Sequence, residues 1–93
     1  MCERKIEKEL VAQVKAMGGI APKFTSPGFD GMPDRLVLLL GGRMGFVELK
    51  APGKKPRALQ MARHRLLRRL GFKVYVIDEI NQIDSVLEEI DHE

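Results

Sequence analysis

Residues 34–50 read DRLVLLLGGRMGFVELK, and this stretch decides the fold. An apolar run from Leu36 to Leu40 precedes Gly41-Gly42, and Phe46-Val47-Glu48-Leu49-Lys50 follows the turn. Two apolar runs separated by a short loop that contains glycine are typical of an antiparallel β-hairpin. We therefore predict that residues 36–40 and 46–50 form two neighbouring antiparallel strands.

The segments on either side of this hairpin predict helices and one further strand. Downstream, residues 56–70 predict a helix with proline in its first turn and Gly71 just past its end, and residues 73–78 predict a strand. A strand that follows a helix pairs parallel to the strand before that helix through a right-handed crossover. Apolar residues at helical spacing predict a helix over residues 3–17 and a short one over 83–90. The result is an α/β fold, a small mixed β-sheet flanked by helices.

The composition predicts one globular domain over residues 1–93. A chain of 93 residues has a radius of gyration of roughly 12 Å when folded. The longest apolar run, residues 36–40, is far shorter than the ~20 residues of a membrane span, and we expect no secretory signal. Cys2 is the only cysteine, which excludes an intramolecular disulfide and a cysteine-based zinc cage within one chain. A reducing, cytoplasmic setting is the expectation.

Charge is divided unevenly along the chain. The net charge is +3, but residues 49–77 contain nine Lys or Arg and no acid, whereas residues 78–93 contain seven acids and no Lys or Arg. A basic block beside an acidic end predicts a surface that faces a polyanion. The alternative is a solvated helix face next to an acidic terminal helix.

Asp34, Glu48 and Lys50 form the strongest chemical signal. Glu48 and Lys50 are two residues apart on a strand, so both side chains point to the same face of the sheet. Asp34 begins the first strand of the hairpin, opposite the end of the second, and we expect all three at one solvent-facing site. Two close carboxylates repel, and a divalent cation such as Mg²⁺, with the Leu49 carbonyl as a further ligand, relieves the repulsion. A cross-strand ion pair between Lys50 and either acid is the alternative.

The ordered set Gly31-Met32-Pro33-Asp34, Glu48-Leu49-Lys50 and Gln60 resembles the PD-(D/E)xK nuclease superfamily and, more narrowly, the VRR-NUC family. The motif order of that family is a helix glutamate, G-x-P-D, E-x-K and a downstream glutamine. The resemblance extends from the first helix to the strand at Val74, and it is to the standalone, minimal form of the domain. It implies a restriction-endonuclease-like core and a Mg²⁺- or Mn²⁺-dependent DNA endonuclease. It also implies a homodimer that cuts branched DNA such as four-way (Holliday) junctions, in the cytoplasm of a bacterial or phage-infected cell.

The resemblance assigns catalytic roles to single residues. Asp34 and Glu48 would be metal ligands together with the Leu49 carbonyl. Lys50 would orient or deprotonate the attacking water, and Gln60 would support the site from the next helix.

The helix glutamate of the family has two candidates, Glu3 and Glu7, which lie one helical turn apart. We prefer Glu7 as the catalytic residue and metal ligand because it lies further inside the helix, where the chain frays less. The other acid would then be an ordinary surface residue.

The predicted helix over residues 56–70 carries two neighbouring stripes. Leu59, Leu66 and Leu70 form an apolar stripe that we expect to be buried. The polar stripe beside it begins next to the Lys50 loop and is suited to follow DNA phosphates, although a solvated face is the alternative. The candidate DNA-binding residues on this stripe and in the preceding loop are Lys54, Lys55, Arg57, His64 and Arg68.

Three functions are compatible with these features. The first is the metal-dependent endonuclease, and the second is a non-catalytic nucleic-acid-binding module that needs only the basic block. The third is an interaction domain whose acidic end binds a basic partner. The ordered motif favours the endonuclease because a simple binder has no use for two carboxylates that face DNA.

A homodimer is expected because symmetric cutting of two strands needs two sites related by a two-fold axis. The candidate interfaces are the edge of the first helix, the terminal helix at residues 83–90, and the hairpin tip at Met44.

Overall fold

The computed structural model describes residues 2–92, in which helices cover both faces of one mixed sheet. The elements in chain order are α1 (Glu3–Ala16), β1 (Arg35–Leu38), β2 (Met44–Leu49), α2 (Ala58–Arg69), β3 (Val74–Ile77) and α3 (Ile83–Asp91). The strand order is β1-β2-β3, with β1 antiparallel and β3 parallel to β2. The predicted hairpin and the parallel crossover through α2 are therefore confirmed. The Cα radius of gyration, 12.5 Å, agrees with the value expected from the length.

The turn of the hairpin begins earlier than the sequence predicts. β1 ends at Leu38, and Leu40–Gly42 form a short 3₁₀ turn in which Gly41 has φ of +82°. Only glycine adopts this φ without strain, so the two glycines set the point at which the strand reverses. On the other side of β1, isolated bridges from Ile20 to Leu38 and from Lys23 to Arg35 extend the edge of the sheet.

The larger core lies between the sheet and the two outer helices. Val37 and Val47 project from the strands into this core and are fully buried, and Leu49 is nearly so. α1 covers them with Ile6, Leu10 and Val14, and α3 covers them with Ile83, Val86, Leu87 and Ile90. Burying these side chains removes most of the apolar surface of the hairpin from water, which is the main contribution to stability.

The opposite face of the sheet carries a smaller core under α2. Phe46, Leu67 and Val74 pack together there. The prediction that Leu59, Leu66 and Leu70 form the buried stripe of α2 is wrong, because Leu59 and Leu70 are 41% and 64% exposed. The buried residues of α2 are instead Gln60, His64 and Leu67. The reason is that this face of the sheet carries Glu48, whose carboxylate needs hydrogen-bond donors when it is buried.

No helix within residues 2–92 is long and apolar enough to cross a membrane.

Candidate active site

Glu48 lies at the centre of the polar cluster between β2 and α2. Its side chain is only 2% exposed, so the expectation of a solvent-facing carboxylate is wrong for this residue. Gln60 Nε2 donates a hydrogen bond to Glu48 Oε2 over 3.2 Å, and His64 Nε2 lies 3.3 Å from Oε1. Each carboxylate oxygen therefore has one partner on α2, and these two contacts hold the carboxylate in one orientation.

The amide of Gln60 is oriented by the backbone at the start of α2. The Arg57 N–H donates to Gln60 Oε1 over 2.8 Å, so the amide nitrogen of Gln60 is the atom that faces Glu48. One side chain thus satisfies an N–H group that precedes the helix and supports the buried carboxylate. This is the position at which the sequence predicts a supporting glutamine.

Asp34 directly precedes β1 and meets Glu48, as the hairpin geometry predicts. Asp34 Oδ1 accepts a hydrogen bond from the Leu49 N–H over 3.2 Å. Burial raises the pKa of the Asp34 carboxyl, and the charge of Glu3 raises it further. Burial also raises the pKa of Glu48, to about 7, and the neighbouring Asp34 carboxyl adds to this increase. The structure therefore brings together two carboxyl groups that resist being ionised at the same time.

Lys50 supplies positive charge close to this carboxyl pair. Its ammonium group acts against the increase in the pKa of Glu48, and the guanidinium of Arg57 acts in the same direction. Burial lowers the pKa of His64, and the positive charges of Arg68 and Lys50 lower it further, so its neutral form is favoured. His64 is 2% exposed and faces Glu48, and its predicted contact with DNA stays a prediction.

The donor set fits a hard divalent cation that keeps part of its water shell. Leu49 donates its N–H to Asp34, and because the N–H and C=O of one strand residue point the same way, its carbonyl faces the same side. Within residues 2–92 no three or more His, Cys, Asp or Glu side chains form a complete metal cluster. Two carboxylates, one carbonyl and several waters are the coordination that Mg²⁺ prefers in proteins.

Two known proteins are similar to this chain over nearly its whole length. A solved structure described as "VRR_NUC domain" superposes with a TM-score of 0.85 and 33% identity, covering 92% of this chain and 94% of that one. The protein named "Putative nuclease p44", from Acyrthosiphon pisum secondary endosymbiont phage 1, is 51% identical over 85 residues, 91% of this chain and 90% of its own length. The chain belongs to the VRR-NUC nuclease family.

This relationship confirms the predicted family, and with it the restriction-endonuclease-like α/β fold. No model of a known protein family matches the sequence. The similarity to the solved VRR-NUC domain covers 92% of this chain.

The two candidates for the helix glutamate make different contacts in this VRR-NUC domain. Glu7 Oε2 forms a salt bridge of 2.9 Å with Arg35 Nη2, and this contact lowers the pKa of Glu7. The negative charge of Glu3 raises the pKa of the Asp34 carboxyl. The sequence-based preference for Glu7 stays untested, but because Glu7 already has a cationic partner in Arg35, we propose Glu3 as the helix glutamate in its place.

Arg35 is a residue of the site region that the sequence analysis missed. It is 8% exposed and faces the core side of β1, next to Asp34, which points the other way. It also donates a hydrogen bond to the Ala21 carbonyl, while its Nε has no partner within the described residues. A charged residue at an inward position of a strand is the signal that predicts a buried ion pair.

The loop that leads into Asp34 is packed against α2. Gly31 has φ of +89°, and a Cβ there would lie 2.8 Å from Leu59 Cγ. Arg63 donates to the Asp30 carbonyl over 2.8 Å and covers the Phe29 ring at 3.9 Å. The close approach of the loop to Leu59 therefore requires the glycine of the G-x-P-D motif. This contact positions Asp34 relative to the helix that supports Glu48.

Proposed function

We propose that this chain is a metal-dependent DNA endonuclease that hydrolyses phosphodiester bonds and is selective for branched DNA such as four-way junctions. The observation that carries the proposal is the facing pair of carboxyls, Asp34 and Glu48, with Lys50 beside them, in a nuclease domain. A buried carboxyl in contact with a half-buried one costs stability, and a cation between them would remove that cost. Branched DNA and the metal requirement are suggested by the family resemblance.

The residues of the proposed site have two roles: some hold the metal ion, and Lys50 assists the attacking water or the phosphate. A Mg²⁺ or Mn²⁺ ion held by Asp34, Glu48 and the Leu49 carbonyl would supply charge neutralisation at the phosphate and a more acidic water. Gln60 and His64 keep Glu48 from rotating away, which preserves the ligand geometry. Lys50 donates hydrogen bonds to the attacking water or to a phosphate oxygen, where negative charge increases during the reaction.

The basic residues near the site are proposed to hold the DNA backbone. Lys54, Lys55 and Arg57 are exposed in the segment that leads from Lys50 to α2. Arg68 lies further along the helix, and its Nη2 donates to the Val74 carbonyl over 2.8 Å. Because phosphate contacts position a duplex without reading sequence, these residues favour a substrate that is selected by shape.

The deciding experiment compares a four-way junction with a linear duplex of the same sequence, each with Mg²⁺, Mn²⁺ or EDTA. Cleavage that needs a metal and is faster on the junction is the expected result. Salt-sensitive binding without cleavage of either DNA would support the alternative, a non-catalytic nucleic-acid-binding module. Cleavage that persists in EDTA would contradict the metal requirement.

The choice between Glu3 and Glu7 gives a prediction that separates catalysis from stability. We expect Glu3→Gln to slow cleavage more than Glu7→Gln, because Glu3 acts on Asp34 while Glu7 is paired with Arg35. Glu7→Gln should instead lower the free energy of unfolding by about 1–2 kcal/mol, because it leaves the buried Arg35 charge without its partner. Cleavage rates at saturating DNA and thermal melts measure both effects. A larger loss of rate in Glu7→Gln, with unchanged stability, would restore Glu7 as the helix glutamate.

The raised pKa of Glu48 predicts how stability depends on pH in the metal-free protein. The pKa of Glu48 is about 7 in the folded chain and near its ordinary value of 4.5 when unfolded. Between these values the folded state holds a proton that the unfolded state has released, so this group lowers the free energy of unfolding as the pH rises from about 5 to 7. Glu48→Gln removes the effect. Relative to wild type, the variant should therefore gain about 1–3 kcal/mol between pH 5 and pH 8.

Melting temperatures in EDTA across this pH range test the prediction. His64, whose pKa is lowered, changes stability in the opposite direction, and because it contacts Glu48 the comparison is repeated in a His64→Gln background. Glu88→Gln on the exposed face of α3 is the matched control, with a difference from wild type that stays constant with pH. A constant difference for Glu48→Gln as well would contradict the raised pKa.

The active form is proposed to be a homodimer. The apolar residues of α3 are buried in the core, which excludes its apolar face as an interface. Ile20 and Leu40, which are 61% and 68% exposed, lie near the turn of the hairpin, and Val11 is an exposed large apolar residue of α1. Sedimentation equilibrium at micromolar concentration should give twice the chain mass of 10.5 kDa, and Leu40→Glu should give the monomer. A monomeric wild type with full activity on a four-way junction would refute the dimer, and dissociation by Val11→Glu alone would move the interface to α1.

A further inference from the structure

A groove of about 500 Å³ lies between α2 and the loop that precedes it. Its volume is within the range of pockets that hold small ligands. Four cations line it, two from the loop and two from the helix: Lys54, Lys55, Arg65 and Arg68. A row of phosphate contacts needs a charged surface, but it does not need a groove of this depth. The groove therefore has room for a further group beside the phosphates that Lys54, Lys55 and Arg68 are proposed to hold.

The interior of the groove is suited to a flat, partly apolar group. Pro56, Met61 and Val76 line it beside the charged side chains. Met61 is 47% exposed, so its thioether is accessible to a group bound in the groove. Nucleobases pack on apolar and sulfur-containing side chains through their faces.

Asp78 is an acid among the cations of this groove. It is half-buried, just after the end of β3, and its N–H is bonded to Gln82 Oε1 over 2.9 Å. Its carboxylate makes no hydrogen bond or salt bridge with any residue between 2 and 92, although four cations line the same groove. The carboxylate oxygens are therefore available to accept hydrogen bonds from a ligand.

The groove adjoins the proposed metal site through a single side chain. His64 lines the groove, and its Nε2 lies 3.3 Å from Glu48 Oε1. A phosphate held through a metal ion at Asp34 and Glu48 would therefore leave the groove within reach of a neighbouring nucleotide of the same strand.

We propose that the groove binds one unpaired nucleotide of the substrate, next to the phosphate that is cleaved, with Asp78 accepting hydrogen bonds from the edge of its base. The inference rests on the proposed nuclease function and names the feature of the DNA that the site selects. A base paired in a duplex cannot present this edge, so the groove favours DNA with an unpaired nucleotide.

The chemistry of the acceptor predicts which base binds best. A carboxylate only accepts hydrogen bonds. Guanine offers two adjacent donors, N1–H and the 2-amino group, whereas thymine offers one N–H between two carbonyl oxygens that repel a carboxylate. Guanine is therefore the preferred base, and thymine the least favoured.

Binding of short single strands without metal tests the inference. The probes are a fluorescein-labelled thymidine pentamer and the same strand with one central guanine, measured by anisotropy in EDTA at one salt concentration. We expect the wild type to bind the guanine strand roughly ten-fold more tightly, the effect of a good bidentate contact. Asp78→Asn should remove this preference and still fold, because the carboxylate has no partner within the described chain. The matched control is Asp84→Asn in the first turn of α3, which should keep the preference.

The outcomes separate this inference from the proposed function. Equal affinity for the two strands in the wild type, or a preference that survives Asp78→Asn, overturns the guanine-binding groove. Metal-dependent cleavage together with equal affinities would overturn the groove and leave the nuclease function standing. A guanine preference that depends on Asp78, in a protein that cleaves no DNA, would support the groove and overturn the proposed nuclease.

Discussion

Glu48→Gln is expected to slow DNA cleavage by about 10³-fold or more without unfolding the protein. Glu48 is one of the two facing carboxyls, and glutamine has the same size but cannot carry the charge that a metal ligand needs. Gln60 Nε2 can still donate to the new amide oxygen, and His64 can accept from the amide nitrogen in its other tautomer. The buried contacts of the residue are therefore kept while its chemistry is removed.

The measurement is the single-turnover rate on a four-way junction with saturating Mg²⁺, alongside circular dichroism of the same samples. Asp34→Asn is the companion variant and should lose a similar factor, because a cation held between two carboxylates needs both. Glu88→Gln controls for the loss of one negative charge far from the site. If both site variants fold and cleave at the wild-type rate, the reaction takes place elsewhere on the molecule.

Lys50→Met is expected to reduce the cleavage rate by about 10²–10⁴-fold while metal binding is retained, the size of effect typical for a group that assists proton transfer. Lys50 acts on Glu48 through its positive charge, and removing this charge does not remove an oxygen ligand. Affinity for Mn²⁺, measured by calorimetry, should therefore be unchanged or slightly higher. Methionine keeps most of the length of the side chain, so packing changes little.

Lys8→Met, on the exposed surface of α1, is the matched control and should cleave like the wild type. A wild-type rate in Lys50→Met would remove this residue from the mechanism. A loss of Mn²⁺ affinity as large as the loss of rate would make Lys50 a structural part of the metal site.

The sequence by itself determined the hairpin, the parallel crossover and the meeting of Asp34 with Glu48. These features depend on short-range rules: side chains alternate along a strand, a glycine turn reverses the chain, and a strand after a helix returns parallel. The start of the first strand of a hairpin must then lie opposite the end of the second, whatever packs around it. The family motif is likewise a property of the order of residues along the chain and does not depend on tertiary contacts.

Only the tertiary structure decided which face of α2 turns inward and which acid of α1 is already paired. Helical periodicity favoured the face with Leu59, Leu66 and Leu70, because the prediction uses only the spacing of apolar side chains. It contains no information on the surface against which the helix packs. The sheet beneath α2 presents a buried carboxylate, and its need for donors turns Gln60 and His64 inward, leaving Leu70 in solvent. The pairing of Glu7 with Arg35, and the groove that brings Asp78 close to Lys54 and Lys55, join residues that are distant in sequence, and no spacing rule connects them.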